Sequence, residues 1–262
     1  DVLDTDLIIK VCKEEGVGTV YHLAALLSAT GEKNPELCRK VNVGGTFSVF
    51  EAARQCSMRV FTPSSIAVFG PDAPKHVPQI TDLNPTTVYG ETKVEGEQLA
   101  KEYEEKYGLD IRGIRYPGLI SYKAPAGGGT TDYAVEIFEA ALNDGYYDCF
   151  VRPDTRLPML YMDDAIRATL MLMDEPSENL GSSKAGYNID CFSFTAEELA
   201  NAIANEVDGF KCDFTPDVRQ NYADSWPDSM DGSVAKEEWN WSPKFDLDSM
   251  VKAMLDGMSK KQ

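Results

Sequence analysis

The sequence predicts an α/β fold, a doubly wound parallel sheet with a smaller C-terminal α/β lobe, on three observations. Short β-rich runs alternate with longer helical patterns over the first two thirds, a Gly/Pro-rich stretch then breaks the alternation, and the remainder is again mixed. With 262 residues, 43% of them hydrophobic, the chain can bury a substantial core.

Strands are expected at Thr19–Leu23, Arg59–Pro63 and Asp110–Tyr116. Between the first two, Pro35 to Cys56 carries Leu37, Val41, Phe47 and Phe50 at roughly helical spacing. Between the second and third, Thr87 to Tyr107 is rich in Glu, Lys, Gln and Ala, all good helix formers, and ends at Gly108. These are two βαβ steps. KAPAGGGTTD (Lys123–Asp132) then leads into a helix over Tyr133–Asn143, stopped by Gly145. Further strands are expected near Cys149–Arg152 and Tyr187–Ile189, around a helix begun by Asp163 or Asp164 and stopped before Pro176. Thr195 with Glu198 forms a capping box ahead of a Leu199, Ile203, Val207 stripe. The domain reading is 1–122 for the parallel sheet and 123–262 mainly for the second lobe, with segments near 148–190 returning to the sheet.

Composition narrows the function classes. The net charge of -18, with Lys and Arg scattered, repels phosphate backbones and argues against nucleic acid. No apolar run approaches the ~20 residues of a membrane span, and DVLDTDLIIK is acidic rather than a basic-then-apolar signal. Six dispersed cysteines without a CxxC pair read as reduced thiols in an intracellular compartment. Only two histidines, His22 and His76, are present, so no metal is expected. A GxSxG hydrolase signature is absent. The acidic opening lacks the glycine and distal glutamate of a calcium loop.

A doubly wound nucleotide-binding sheet begins strand, glycine-rich turn, helix, and the chain opens on none of these. Gly16 and Gly18 lie too close to the first strand, and Gly127–Gly129 follows the wrong element. The expectation is either about 60 residues upstream of Asp1, completing the βαβα unit and a third strand, or a degenerate relative. Little activity is expected of the chain without that turn.

Chemistry concentrates at Tyr89 and Lys93. Four apart on a helix, they share a face, so the ammonium sits near the phenol. A free tyrosine titrates near ~10 and acts as a base near neutrality only where positive charge favours phenolate. The helix bearing the pair follows the strand that ends in Thr62-Pro63-Ser64-Ser65, at the carboxyl edge where α/β ligands bind. There Ser65 can bond a reacting oxygen and share its proton with Tyr89.

Ser65, Tyr89 and Lys93, with His22-Leu23-Ala24-Ala25 ending one strand and Asn42 on the next helix, resemble the extended short-chain dehydrogenases. LLSATGE (Leu26–Glu32), SSIAVFGP (Ser64–Pro71), YGETK (Tyr89–Lys93), RYPGLIS (Arg115–Ser121), GGGTTDYAVEIF (Gly127–Phe138), LPMLYMDDAIRAT (Leu157–Thr169) and RQNYADSWP (Arg219–Pro227) narrow this. Together they resemble the short-chain L-threonine 3-dehydrogenases over nearly the whole chain.

The resemblance implies an NAD-binding Rossmann domain with a substrate lobe. It also implies oxidation of the L-threonine β-hydroxyl by NAD to 2-amino-3-oxobutyrate. Tyr89 would take the hydroxyl proton, Ser65 orient the hydroxyl, and Lys93 hold the ribose and lower the Tyr89 pKa. Asp1 would meet adenine, with Ser64 and Asn42 also on the cofactor side. His22, Leu23, Ala24 and Ala25 would line its central region, and Tyr116, Pro117 and Ile120 would flank the nicotinamide. An amino-acid substrate needs acceptors for its ammonium and donors for its carboxylate, and Gly129-Thr130-Thr131-Asp132 supplies both at a helix start. Thr130 and Thr131 are the carboxylate candidates, Ser28 a second, and Trp226 would close the pocket.

Two other readings stand beside this one. A nucleotide-sugar epimerase would keep Ser65, Tyr89 and Lys93 but need a diphosphate-binding lobe, whereas this C-terminal lobe is acidic. A non-catalytic scaffold would bind no dinucleotide. The resemblance further implies a homodimer built on Asn34–Cys56 and Thr87–Tyr107, with Glu91, Glu95 and Lys101 on an exposed rim. It places relatives in bacterial cytoplasm and in mitochondria, and any targeting segment would lie upstream of Asp1.

Overall fold

The computed structural model describes residues 1–260. The chain opens on a helix, α1 (Thr5–Glu15), because the acidic start supplies a cap: Asp4 accepts from Leu7 N at 3.0 Å. The strand β1 (Thr19–Tyr21) follows, then two short helices, α2 (Ser28–Lys33) and α3 (Pro35–Arg39). A π-helical turn over Lys40–Gly44 joins α3 to α4 (Gly45–Cys56), so the helix expected over Pro35 to Cys56 forms with one widened turn in it. The strands β2 (Arg59–Phe61), β3 (Ser64–Ser65) and β4 (His76–Val77) precede the longest helix, α5 (Val88–Tyr107). Thr87 caps α5 by accepting from Gly90 N, and Gly108 ends it in the left-handed conformation.

The third expected strand is split into β5 (Ile111–Arg112) and β6 (Arg115–Tyr116). Gly113 N leaves the ladder to donate to Lys184 O at 2.7 Å, which breaks the run in two. The strands pair in parallel as β1-β2-β5, and β3 pairs with β6 in the same sense. After β7 (Gly118–Ile120) come α6 (Tyr133–Asn143), β8 (Tyr146–Cys149), β9 (Arg156–Tyr161) and α7 (Met162–Asp174). The remainder holds β10 (Phe192–Thr195), α8 (Ala196–Ala204), β11 (Lys211–Phe214), α9 (Arg219–Asp224), β12 (Ser229–Met230), α10 (Ser233–Trp239) and α11 (Leu247–Ser259). The Thr195 and Glu198 capping box starts α8, with Leu199 and Ile203 buried behind it.

Two strand expectations are corrected. Pairing with β11 fixes β8 at Tyr146–Cys149, three residues before the expected start. Beyond Cys149 the chain turns away, with Arg152 N donating to the Gln220 side chain at 2.6 Å. Tyr187–Ile189 makes a single bridge, Ile114 to Tyr187, rather than a strand. Conversely, β9 lies centrally between β7 and β10 although it contains Pro158.

The core falls into three clusters. Phe50, Val60, Ala100 and Ile111 lie between α4, α5 and the β1-β2-β5 sheet. Phe61, Tyr116, Leu160, Leu172 and Trp241 bring α7 and the Trp239 to Trp241 segment against the sheet. The largest joins Phe69, Tyr133, Phe138, Met159, Leu199 and Met254. Among the described residues no helix is long and apolar enough to cross a membrane.

The contact that positions the site is at Gly90. A Cβ there would lie 2.2 Å from Ala67 O and 2.6 Å from Pro85 Cβ, so only glycine lets α5 approach the turn that follows Ser65. Gly96, further along α5, has nothing within 4 Å of that position. Urea unfolding therefore separates packing from propensity. Gly90→Ala is expected to destabilise by about 1–3 kcal/mol through overpacking. Gly96→Ala is expected to stabilise by up to about 1 kcal/mol through helix propensity.

Candidate active site

Ser65 ends β3 in an extended conformation and caps the following turn, its Oγ accepting from Ala67 N at 3.2 Å. Tyr89 stands in the first turn of α5, whose leading amides also find a partner on α2: Val88 N and Tyr89 N donate to Glu32 Oε1 at 2.7 and 3.4 Å. A carboxylate at a helix N-terminus is favoured by the helix dipole. Lys93, one turn on, donates to Pro63 O at 2.7 Å and stands 5.6 Å from the Tyr89 ring centroid.

Burial dominates the protonation of both groups. It pushes the Tyr89 phenol up to about 12, against a lowering hydrogen bond from Ser65. It pushes the Lys93 ammonium down to about 8, against the raising charges of Cys38 and Glu97. The resemblance implies that Lys93 lowers the Tyr89 pKa, whereas burial acts in the opposite direction and is the larger influence on the phenol. The phenol's loss of water outweighs any neighbouring charge, and Lys93 is not among the groups that shift it.

Two adjoining hollows meet at Lys93. A cavity of about 290 Å³ is lined by Ser28, Ser65, Tyr89, Lys93, Tyr116, Pro117, Thr130, Thr131, Asp132 and Trp226. These belong to six separate stretches of sequence, and every residue proposed for substrate contact is among them. Leu27, Ile66, Gly118 and Leu119 complete the wall. The second hollow is lined by His22, Leu23, Ala24, Ala25, Asn42, Ser64, Lys93 and Glu97. Leu23, Ala25, Pro63, Ser64 and Lys93 line both.

Individual partners refine the sequence reading. Asn42, on the widened turn, accepts from Leu26 N at 2.8 Å and donates to Leu26 O and Thr92 Oγ1 at 3.1 Å, so it pins the segment after β1. His22 lies buried with Nε2 3.3 Å from Thr46 Oγ1, and burial takes its imidazole down to about 4, leaving it neutral at pH 7. Ser64 directs its hydroxyl to Glu97 Oε1 at 2.5 Å. Tyr116 turns its ring to the cavity while its hydroxyl bonds Thr169. Thr130 is buried with Oγ1 3.5 Å from Ser28 Oγ. Asp132 does not cap α6 through its side chain. Its Oδ2 accepts from Gly128 N and Gly129 N at 2.7 and 2.8 Å and so closes the glycine loop.

Asp1 lies apart from both hollows, bonding Leu3 N at 3.0 Å, while Val2 packs over Gly45 beside His22. Ile120 is corrected. It is wholly buried in the largest core cluster and lines neither hollow, whereas Gly118 and Leu119 line the cavity. Glu97, Glu32, Thr46 and Thr92 escaped the sequence reading. Glu97 alone carried a usable signal, its position four residues after Lys93 on one helix face. No group of three or more metal-ligating side chains occurs among the described residues.

The hollow around Lys93 suits a dinucleotide. An ammonium has three donors, and among the described residues only Pro63 O takes one, which leaves two N–H groups for a vicinal diol such as a ribose. Small residues, Ala24 and Ala25, leave room beside it.

Comparison with known proteins agrees with this geometry. An uncharacterized epimerase/dehydratase of Staphylococcus aureus (strain USA300) is 44% identical over 263 aligned residues, spanning 100% of this chain and 82% of that protein. The L-threonine dehydrogenase structure from Phytophthora infestans superposes with a TM-score of 0.97 at 49% identity, covering 100% of this chain and 85% of that one. A structure described as a monomeric L-threonine 3-dehydrogenase, from a metagenome, superposes at 0.96 with 50% identity over 100% and 85% of the respective chains. Residues 1–189 match the model of the NAD dependent epimerase/dehydratase family, and with these relatives the match establishes that the chain belongs to that family.

Proposed function

We propose that this site oxidises the β-hydroxyl of L-threonine to the ketone of 2-amino-3-oxobutyrate, with NAD as the acceptor. The observation that carries the reading is the convergence of Ser65, Tyr89 and Lys93 on one wall of a cavity whose other wall is Thr130, Thr131 and Asp132. The solved L-threonine dehydrogenases that superpose on the whole chain support it.

The division of labour follows from the residues. Ser65 holds the substrate hydroxyl, and its bond to Tyr89 favours the phenolate. Tyr89 takes the hydroxyl proton as the C–O bond becomes a carbonyl. When bound, the oxidised nicotinamide would supply a positively charged acceptor for the hydride leaving Cβ. Lys93 offers its two remaining donors to the ribose. His22, Leu23, Ala24, Ala25, Asn42 and Ser64 form the cofactor wall, with Tyr116 and Pro117 at its reactive end and Asp1 toward adenine. Thr130 and Thr131 take the substrate carboxylate, with Ser28 behind Thr130. Asp132 balances the substrate ammonium, and Trp226 covers the pocket. Residues 1–122 form the dinucleotide domain, and 123–262 form mainly the substrate lobe, with 148–190 returning to the sheet. Exposed Leu37, Phe47 and Tyr107 give the α3, α4 and α5 face an apolar surface suited to pairing with a second copy, although the metagenome relative is described as monomeric.

The test is threonine-dependent NADH formation by the natural polypeptide carrying this sequence. Turnover on L-threonine is expected, and epimerisation of UDP-galactose without it, or no saturable NAD binding in calorimetry, contradicts the reading. Tyr89→Phe is expected to lower kcat by roughly 10²–10⁴ while NAD binding persists, because only the proton acceptor is removed. Thr130→Val, which deletes a hydroxyl at nearly constant volume, is expected to raise KM for threonine roughly tenfold with a smaller change in kcat. NAD affinity is expected to weaken as pH rises through about 8, where Lys93 loses its charge, and to lose that dependence in Lys93→Arg.

A further inference from the structure

We propose that Glu97 is a positioning residue of this site, a fixed carboxylate that keeps Lys93 charged and ties the strand bearing Ser65 to the helix bearing Tyr89. The inference rests on Lys93 and Ser65 acting as proposed, and not on threonine being the substrate.

Glu97 lies one turn beyond Lys93 on α5 and lines the same hollow. Its carboxylate is held from two sides. Arg115 on β6 forks onto it, Nε to Oε1 at 3.0 Å and Nη2 to Oε2 at 2.8 Å. Ser64 on β3 donates to Oε1 at 2.5 Å, immediately before Ser65. Arg115 is itself anchored, Nη1 donating to Gln79 O at 3.1 Å and Asn188 Oδ1 at 3.3 Å, so the fork cannot swing. The backbone of Gly186 closes over the carboxylate, where a Cβ would lie 2.6 Å from the Glu97 Cδ. Side chains of Glu97 and Arg115 are 11% and 8% exposed, which makes the pair a fixed part of the wall rather than a surface ion pair.

The charges acting on Lys93 are few. From α5 itself Glu97 raises its affinity for a proton, and from α3 Cys38 does the same. Burial raises the Cys38 thiol above its ordinary value, so near neutrality it is uncharged. His22, after β1, is neutral, and Tyr89 is a neutral phenol. Glu97 is therefore the one carboxylate among the groups that oppose the loss of water around the ammonium. Arg115 holds that carboxylate in place through its fork.

The experiment titrates the Lys93 side chain by NMR in protein labelled with nitrogen-15 lysine, the signal assigned by its loss in Lys93→Arg. Wild type, Glu97→Gln and Ser64→Ala are compared. Glu97→Gln is expected to lower the Lys93 midpoint by about one pH unit, a tenfold change in proton affinity, and Ser64→Ala to leave it in place. Ser64→Ala is expected to lower kcat for NADH formation severalfold at unchanged KM, because only the tie between Ser65 and Tyr89 is lost. Should Glu97→Gln not fold, Glu97→Asp draws the charge back by one methylene and is expected to lower the midpoint by less. An unmoved midpoint in whichever variant folds overturns the proposal, even if wild type oxidises threonine. A shifted midpoint with no threonine turnover in wild type supports the Glu97 assignment while sinking the threonine reading.

Discussion

The approach of α5 to the turn after Ser65 governs the site, because two elements far apart in sequence must meet within hydrogen-bonding distance there. Gly90 permits that approach by having no side chain to strike Ala67 O. Thr87 and Glu32 then satisfy the amides of the first turn, so the helix starts where Tyr89 faces Ser65 rather than a residue earlier or later. The same anchoring carries Lys93 to Pro63 O and Glu97 to Ser64. Three residues of one helix face, Tyr89, Lys93 and Glu97, thus meet the three consecutive residues Pro63, Ser64 and Ser65.

Burying the site drives both ionisable groups toward neutrality, Tyr89 upward and Lys93 downward. A phenol held near 12 keeps its proton at neutral pH, so the proposed proton transfer calls for positive charge beside it. The polar shell limits this cost. Ser65 favours the phenolate and Glu97 favours the ammonium.

Much of this was legible in the sequence, for reasons that differ by residue. Tyr89 and Lys93 were visible because helical spacing puts them on one face, and Ser65 because a parallel strand must end at the ligand edge. The Thr130 loop was visible from its glycines and the helix after it. Ile120 was misplaced because the run Gly118–Ile120 passes from the cavity wall into the core within three residues, and its residue types do not show where. The central strand β9 was hidden by Pro158, which ordinarily argues against an interior strand. The acidic opening proved to be a helix cap at Asp4, a role that looks the same as any charged surface turn until the helix is seen. The pairing of Glu97 with Arg115 was hidden because it joins α5 to β6 across 18 residues, a contact no local pattern reveals.

The central claim, that Ser65, Tyr89 and Lys93 take the hydroxyl proton of threonine while its β-carbon gives hydride to NAD, is met most directly by isotope transfer. L-threonine deuterated at Cβ is incubated with NAD and the natural polypeptide carrying this sequence, and the reduced dinucleotide is weighed by mass spectrometry. Deuterium from Cβ is predicted to appear in NADH, and to be lost from the product carbonyl carbon. Reduced dinucleotide free of deuterium, or threonine recovered unchanged with the cofactor still oxidised, would contradict the account.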